Sequence, residues 1–317
     1  MTSRTVPAWR LFLCFLLTLF FAPAVFAAEG ANFSYAEYPL ERAGVALHLD
    51  RVALEGAEPQ KDILLIHGLT YSSHEFDVDY KDYSLVRKLA CEGYAVWRLD
   101  IAGYGRSGKV EDGFMPNSDY AAEDINAAVE KISSATGRDK LDVLGWSWGT
   151  ITVGRFLAAH PEHIRKAVLY APVFRGIGES EVTEPFHHNT WEDAVEDFQR
   201  AEDGSIDESI TEPALVGLWA SGCWRYDGDS SPNGGRRDAC VAEDVPLFDV
   251  SKISVPTLMI CGDKDPYIRF DDLRSAKEIL PPGSDVEVIE GGAHAVLIEE
   301  PYYRDFQNRL VRFLERE

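Results

Sequence analysis

The chain has 317 residues, of which 45% are hydrophobic and 11% aromatic, and it carries a net charge of −22. That length and apolar content suffice for one large α/β domain with an insertion and exclude a disordered chain. The charge excludes nucleic-acid binding, which needs a basic surface, and docking on anionic lipid.

Residues 1–27 read as an export signal. Arg4 and Arg10 precede an apolar run from Leu11 to Phe21, and Val25-Phe26-Ala27 offers small residues at the −3 and −1 positions. Cleavage after Ala27 gives a periplasmic or secreted protein with no stable membrane association. An uncleaved anchor is the competing reading, because residues 11–28 approach the length of a membrane span. Leu13 before Cys14 is too bulky for a lipid-attachment site.

Tyr38 to Leu54 alternates patchily around Ala43-Gly44, as an antiparallel hairpin would. Ile63-Leu64-Leu65-Ile66 is a strand buried on both faces, ending in His67-Gly68-Leu69-Thr70. A helix is predicted over 82–92. A strand over Ala95–Leu99 then runs into the glycine-rich loop Asp100-Ile101-Ala102-Gly103-Tyr104-Gly105-Arg106-Ser107. The next helix, 119–135, has Asp119 or Ser118 as its expected cap. Strands 141–145 and 167–170 flank a helix over 150–159, so strand and helix alternate as in a mostly parallel sheet covered on both faces.

That rhythm stops near residue 176 and resumes near Val255. Residues 177–250 hold 18 acidic side chains against 4 arginines, a net of −14, and read as a cap inserted over the strand ends. The core is thus 28–176 together with 251–317. It ends with a strand at 256–260, a helix over 271–280, a strand at 286–289 and a helix from about Pro301 to Arg316. Cys223 and Cys240 lie 17 positions apart in a Gly/Asp/Ser-rich part of the cap. After export they form the natural disulfide pair, worth about 3 kcal/mol for a loop of that size. Cys91 and Cys261 read as buried thiols. No spacing suggests a metal, and nothing in the sequence calls for a cofactor.

The chemistry centres on Gly145-Trp146-Ser147-Trp148-Gly149, between a strand and a helix. Gly-x-Ser-x-Gly in that setting is a nucleophile elbow, a turn so tight that the flanking positions must be nearly free of side chain. A serine hydroxyl needs a base to take its proton and an anion to orient that base. Asp265 follows the strand at 256–260 and His294 follows the strand at 286–289. Asp263 competes with Asp265 for the anion's role. His67 reads as a shaper of its loop, and Asp100 as the anchor of the loop after its strand.

By His67-Gly68, Asp100-x-x-Gly103-x-Gly105-x-Ser107, the elbow, Gly262-x-x-Asp265 and Gly292-x-His294, in that order, the chain resembles the α/β-hydrolase superfamily. The likeness is to its capped serine esterases and prolyl-aminopeptidase-like members and covers residues 35–315. It implies a doubly wound, eight-stranded-type sheet with a mainly helical cap after the sixth strand. It also implies a Ser147–His294–Asp265 triad and an oxyanion hole from the N–H groups of Leu69 and Trp148. Serine at the elbow sets the chain apart from the epoxide hydrolases and dehalogenases of that superfamily, which carry aspartate there.

The expected activity is hydrolysis of carboxylic esters, thioesters or lactones of small to medium apolar substrates through acyl-Ser147. Trp146, Phe174, Phe186, Trp191, Trp219 and Trp224 are the expected pocket, with Trp148 and Tyr226 beside them. His187 and His188 in the cap are further candidates for substrate contact. If cap carboxylates face the pocket they disfavour anionic substrates and bind a free amine, which keeps a prolyl-type aminopeptidase as the alternative. A non-catalytic ligand-binding protein on the same fold is the alternative from another class. The partner in every reading is a small molecule, and the oligomeric state stays open.

Overall fold

The computed structural model describes residues 31–316, so the expected export signal and its cleavage after Ala27 lie outside the described residues. The chain runs β1 (Phe33–Glu37), β2 (Leu40–Arg42), β3 (Val45–Leu54), β4 (Lys61–Ile66), α1 (Leu85–Cys91), β5 (Tyr94–Asp100), α2 (Ser118–Thr136), β6 (Leu141–Trp146), α3 (Trp148–Ala159) and β7 (Ile164–Tyr170). An insertion follows, with β8 (Phe186–His188), α4 (Trp191–Ala194), α5 (Pro213–Tyr226), β9 (Ser230–Pro232) and α6 (Gly234–Ala239). The core then closes with β10 (Thr257–Gly262), α7 (Phe270–Ile279), β11 (Asp285–Ile289) and α8 (Tyr302–Glu315).

Among the described residues, nine strands form one sheet in the order β1-β3-β5-β4-β6-β7-β10-β11, with β2 paired to β3. From β5 to β11 every pairing is parallel, while β1, β2 and β3 pair antiparallel at one edge. Successive connections run to opposite sides of β4, so the ends of β4 and β6 flank a topological switch point, where open α/β sheets place ligands.

The expected hairpin is β2–β3. Its two-residue turn puts Ala43 (φ 49°) and Gly44 (φ 80°) in the left-handed region that suits the twist of the flanking strands. β1, which the pattern did not reveal, adds a further edge strand. The cap of α2 is Asn117, whose side chain accepts from Tyr120 N at 2.9 Å. Ser118 is otherwise engaged, because its hydroxyl accepts from Trp148 Nε1 at 2.9 Å.

Apolar layers cover both faces of the sheet. One buries α2, α3 and α7. The other buries α1 and α8 together with Leu215, Trp219, Ala220 and Cys223 of α5. The insertion leaves and re-enters the core side by side, with Leu247 N donating to Phe174 O at 2.9 Å and Gly176 N to Val245 O at 3.0 Å. Within it, β8 and β9 pair as a short antiparallel ribbon.

Among the described residues, the disulfide expected between Cys223 and Cys240 is not formed, and both thiols are free. Cys223 lies on the apolar face of α5, 1% exposed, in the layer over the sheet. Cys240 ends α6 and faces a different space, the cavity beside Ser147. Among the described residues, no helix is long and apolar enough to cross a membrane.

Candidate active site

β6 and α3 meet at Ser147, which adopts φ 54° and ψ −117°. A non-glycine residue held there stores backbone strain, and the surroundings must impose it. The two glycines make the turn sterically feasible. A Cβ at Gly145 would sit 2.2 Å from Gly149 O, and one at Gly149 would sit 2.5 Å from Ile66 O. Ser147 N is tied to Tyr170 O at 3.0 Å, while its hydroxyl caps nothing on its own helix and faces a cavity of about 350 Å³.

His294 comes to the same cavity from the loop after β11. Its Nδ1–H donates to Asp265 Oδ2 at 2.8 Å, and both side chains are buried. Asp265, on the loop after β10, is fixed through its other oxygen, which accepts from Tyr267 N at 2.9 Å. Asp263 is engaged elsewhere, accepting from Gly291 N at 2.7 Å and so tying the two loops together. Burial opposes charging of His294. Even so, the fields of Asp197, Asp265 and Glu196, with the Asp265 hydrogen bond, raise its pKa above the ordinary histidine value. No hydrogen bond joins Ser147 Oγ to His294 among the described residues, although both residues line the one cavity.

Leu69 and Trp148 line the cavity as well. Trp148 is the first residue of α3, so its N–H lies at the positive end of the helix dipole. The N–H groups of Leu69 and Trp148 donate to no backbone carbonyl among the described residues. His67 braces this loop from behind: its Nε2 accepts from Ile101 N at 3.1 Å, so its Nδ1–H donates to Gly68 O at 2.8 Å. Asp100 holds the next turn, accepting from Ser73 N at 3.0 Å, Ser73 Oγ at 2.5 Å and Arg106 N at 2.9 Å.

A family profile described as "alpha/beta hydrolase fold" matches residues 62–301. The chain belongs to the α/β-hydrolase family. Among curated relatives of this α/β hydrolase, the uncharacterized carboxylesterase nap of Bacillus subtilis (strain 168) is 24% identical over 279 residues, which span 84% of this chain and 83% of that one. The bromoperoxidase of Bacillus anthracis superposes with a TM-score of 0.62 at 22% identity, covering 89% of this chain and all of the other. The carboxylesterase CesB (YbfK) of Bacillus subtilis superposes at 0.60 and 17% identity, covering 89% and 92%. At such identities the superpositions show a shared fold alone.

The pocket of this α/β hydrolase differs from the expected aromatic one. Trp146 and Trp148 line the cavity, but Phe174, Phe186, Trp191, Trp219 and Trp224 do not. Phe174 packs on Phe248 with ring centres 5.4 Å apart. Phe186 is taken up in the β8–β9 ribbon. Trp191 and Trp224 point outward, 50% and 41% exposed. Trp219 sits behind Trp146, edge-on at 6.1 Å, and Tyr226 stacks on His74. Glu75, Asp193, Glu196, Asp197 and Arg236 stand where apolar groups were expected. His187 also lines the cavity, bound to Asp193 at 3.1 Å, whereas His188 is exposed. A larger cavity of about 610 Å³ lies outside this site; it contains the Asp50–Arg98 ion pair and lacks Ser147 and His294.

Proposed function

We propose that the protein is a serine hydrolase that cleaves carboxylic esters, or related thioesters and lactones, through an acyl-Ser147 intermediate. One observation carries the reading: a serine on a strained strand–helix elbow opens into the same cavity as a buried imidazole hydrogen-bonded to a buried carboxylate.

In this mechanism His294 Nε2 takes the Ser147 hydroxyl proton as Oγ attacks the substrate carbonyl carbon. The carbonyl π-electrons move to oxygen, where the N–H groups of Leu69 and Trp148 meet the developing charge. Each such donor is worth about 2.7–4 kcal/mol in the transition state. Asp265 keeps the proton on His294 Nδ1 and stabilises the imidazolium. Collapse of the tetrahedral intermediate breaks the bond to the leaving alcohol, which receives the proton from Nε2. Water then repeats the sequence on acyl-Ser147, releasing the carboxylic acid and restoring the serine.

The cavity volume limits the substrate to small or medium size. The test combines fluorophosphonate labelling with a panel of p-nitrophenyl esters, thioesters, lactones and proline p-nitroanilide. The expected result is a single label on Ser147 and ester turnover that falls by several orders of magnitude in Ser147→Ala. Near-normal turnover in that variant would end the mechanism. Faster cleavage of the anilide would move the assignment to an aminopeptidase, and absence of both label and turnover would favour a non-catalytic binder.

A further inference from the structure

We propose that the cavity at Ser147 recognises a cationic nitrogen, so that its preferred ester carries an ammonium or quaternary ammonium group seated between Glu75 and Asp197. The proposal rests on the hydrolase reading only for the bond that is cleaved; the cation site stands on its own observations.

The first observation is a count of partners. Four carboxylates line the cavity, those of Glu75, Asp193, Glu196 and Asp197. Asp193 is satisfied, because it accepts from Thr190 N at 2.6 Å, Thr190 Oγ1 at 2.7 Å and His187 Nε2 at 3.1 Å. Arg236, the cavity's guanidinium, is spent on neutral oxygens of Ser231, Asn233 and Thr70. Glu75, Glu196 and Asp197 therefore take no hydrogen bond from another side chain and no ion pair among the described residues, while the backbone N–H of Gly68 reaches Glu75.

The second observation is the state of Glu75. Its side chain lines the cavity but is only 3% exposed, and its Oε2 has no hydrogen-bond partner. A buried carboxylate oxygen without a partner carries a large desolvation penalty, which a nearby positive charge relieves. Burial, then the charges of Asp227 and Asp197, push its pKa well above the ordinary carboxylate value, against the backbone N–H of Gly68. Burial likewise raises Asp197. Burial and mutual repulsion oppose the charging of these two carboxylates, and a cation seated between them opposes that shift.

Trp146, Trp148 and Tyr267 complete the wall, and aromatic faces favour a desolvated ammonium group. The same lining repels carboxylate-bearing substrates. Glu75 and Ser147 line the same cavity, so the charge site shares its space with the carbonyl under attack.

The test has a binding arm and a catalytic arm. Calorimetry on Ser147→Ala protein with butyltrimethylammonium, against the neutral 3,3-dimethylbutan-1-ol, reads binding without turnover. The cation should bind at least tenfold more tightly. Kinetics on wild-type protein compare butyrylcholine with 3,3-dimethylbutyl butyrate, and methyl 6-aminohexanoate with methyl heptanoate, at pH 7. At least one cationic ester should be preferred tenfold or more in kcat/KM. Glu75→Gln and Asp197→Asn should each bring that ratio down towards one. Asp197 is reachable from the cavity, so its variant serves if Glu75→Gln fails to fold. Equal binding of cation and neutral probe, with ratios near one in both ester pairs, would overturn the proposal and leave ester hydrolysis intact. Cation binding in a protein that cleaves no ester would uphold the site and remove the hydrolase reading instead.

Discussion

Asp227, the C-cap of α5, reaches into the core to take both the backbone N–H and the hydroxyl of Ser72, each at 3.1 Å. Its second oxygen accepts from Gly105 N at 2.8 Å. A residue of the insertion thereby holds two core loops, one of which carries the Leu69 N–H. Asp227→Ala leaves three donors without their acceptor in a region 6% exposed at that residue. Stability should fall by about 2–4 kcal/mol in urea titration, and kcat/KM should fall by roughly tenfold or more as the proposed oxyanion loop loosens. A stability loss with unchanged kcat/KM would mean that Asp227 holds the cap alone. Burial and the charge of Asp100 raise its pKa to about 7. The folded state thus holds this proton more tightly than the unfolded chain, and ionisation costs stability as pH rises from about 4 to 7. Asp227→Asn should gain on wild type across that window.

Asp197 bears on the proposed base, His294, as well as on the proposed cation. Its charge is the first of those that raise the His294 pKa against burial. A general base works only when neutral, so ester hydrolysis should fall as pH drops through a value above the ordinary 6.5. Asp197→Asn removes the charge, lowers the His294 pKa and should move the acid limb of the kcat/KM profile to lower pH. An unmoved limb would show that Asp265 and Glu196 supply the whole effect.

The parallel core and the Ser147, Asp265 and His294 positions were legible because apolar runs, glycine spacing and chain order are local signals. The lining of the cavity was not. Glu75 sits in a polar turn with no periodicity, and only the fold carries it inside. Aromatic residues of the insertion look alike in sequence whether they face solvent, as Trp191 does, or the sheet, as Trp219 does. The disulfide expectation failed for a readable reason. Val216, Trp219, Ala220 and Cys223 repeat at helical spacing, a pattern that puts the cysteine on a buried face.

Thiol reactivity checks that correction. Cys223 is 1% exposed, and burial followed by the charge of Glu75 pushes its thiol pKa far up. Cys240 is half-buried and lines the cavity. N-ethylmaleimide on folded protein should label Cys240, label Cys91 more slowly because burial raises its pKa, and spare Cys223 and Cys261. Peptide mapping of non-reduced protein should find no Cys223–Cys240 linkage. Label on Cys240 fills space beside Ser147 and should inhibit ester turnover, whereas full activity after complete labelling would place the substrate elsewhere.

Away from the cavity at Ser147, Asp50 of β3 and Arg98 of β5 stand opposite each other in the antiparallel register. The guanidinium donates through Nε at 2.8 Å and Nη2 at 2.6 Å, a bidentate pair in which both residues are buried. Burial works against the charge on Asp50, but hydrogen bonds from His48 and Arg98 outweigh it and lower the pKa from 3.8 to about 2. A depressed folded-state pKa stabilises the protein fully above the unfolded value and loses that contribution as pH falls through the folded one. The shift corresponds to about 2 kcal/mol at neutral pH. Among the described residues, Asp50→Asn also leaves Arg98 with only Asp77, at 3.1 Å, as a carboxylate hydrogen-bond partner. The variant should therefore unfold at lower urea than wild type at pH 7, by about 2–4 kcal/mol. The gap should narrow as both proteins are taken from pH 4 towards pH 2, because wild type is then losing the charge that the variant never had. A gap that stays constant over that range would mean the pair contributes through shape and hydrogen bonding, with no net share from its charge.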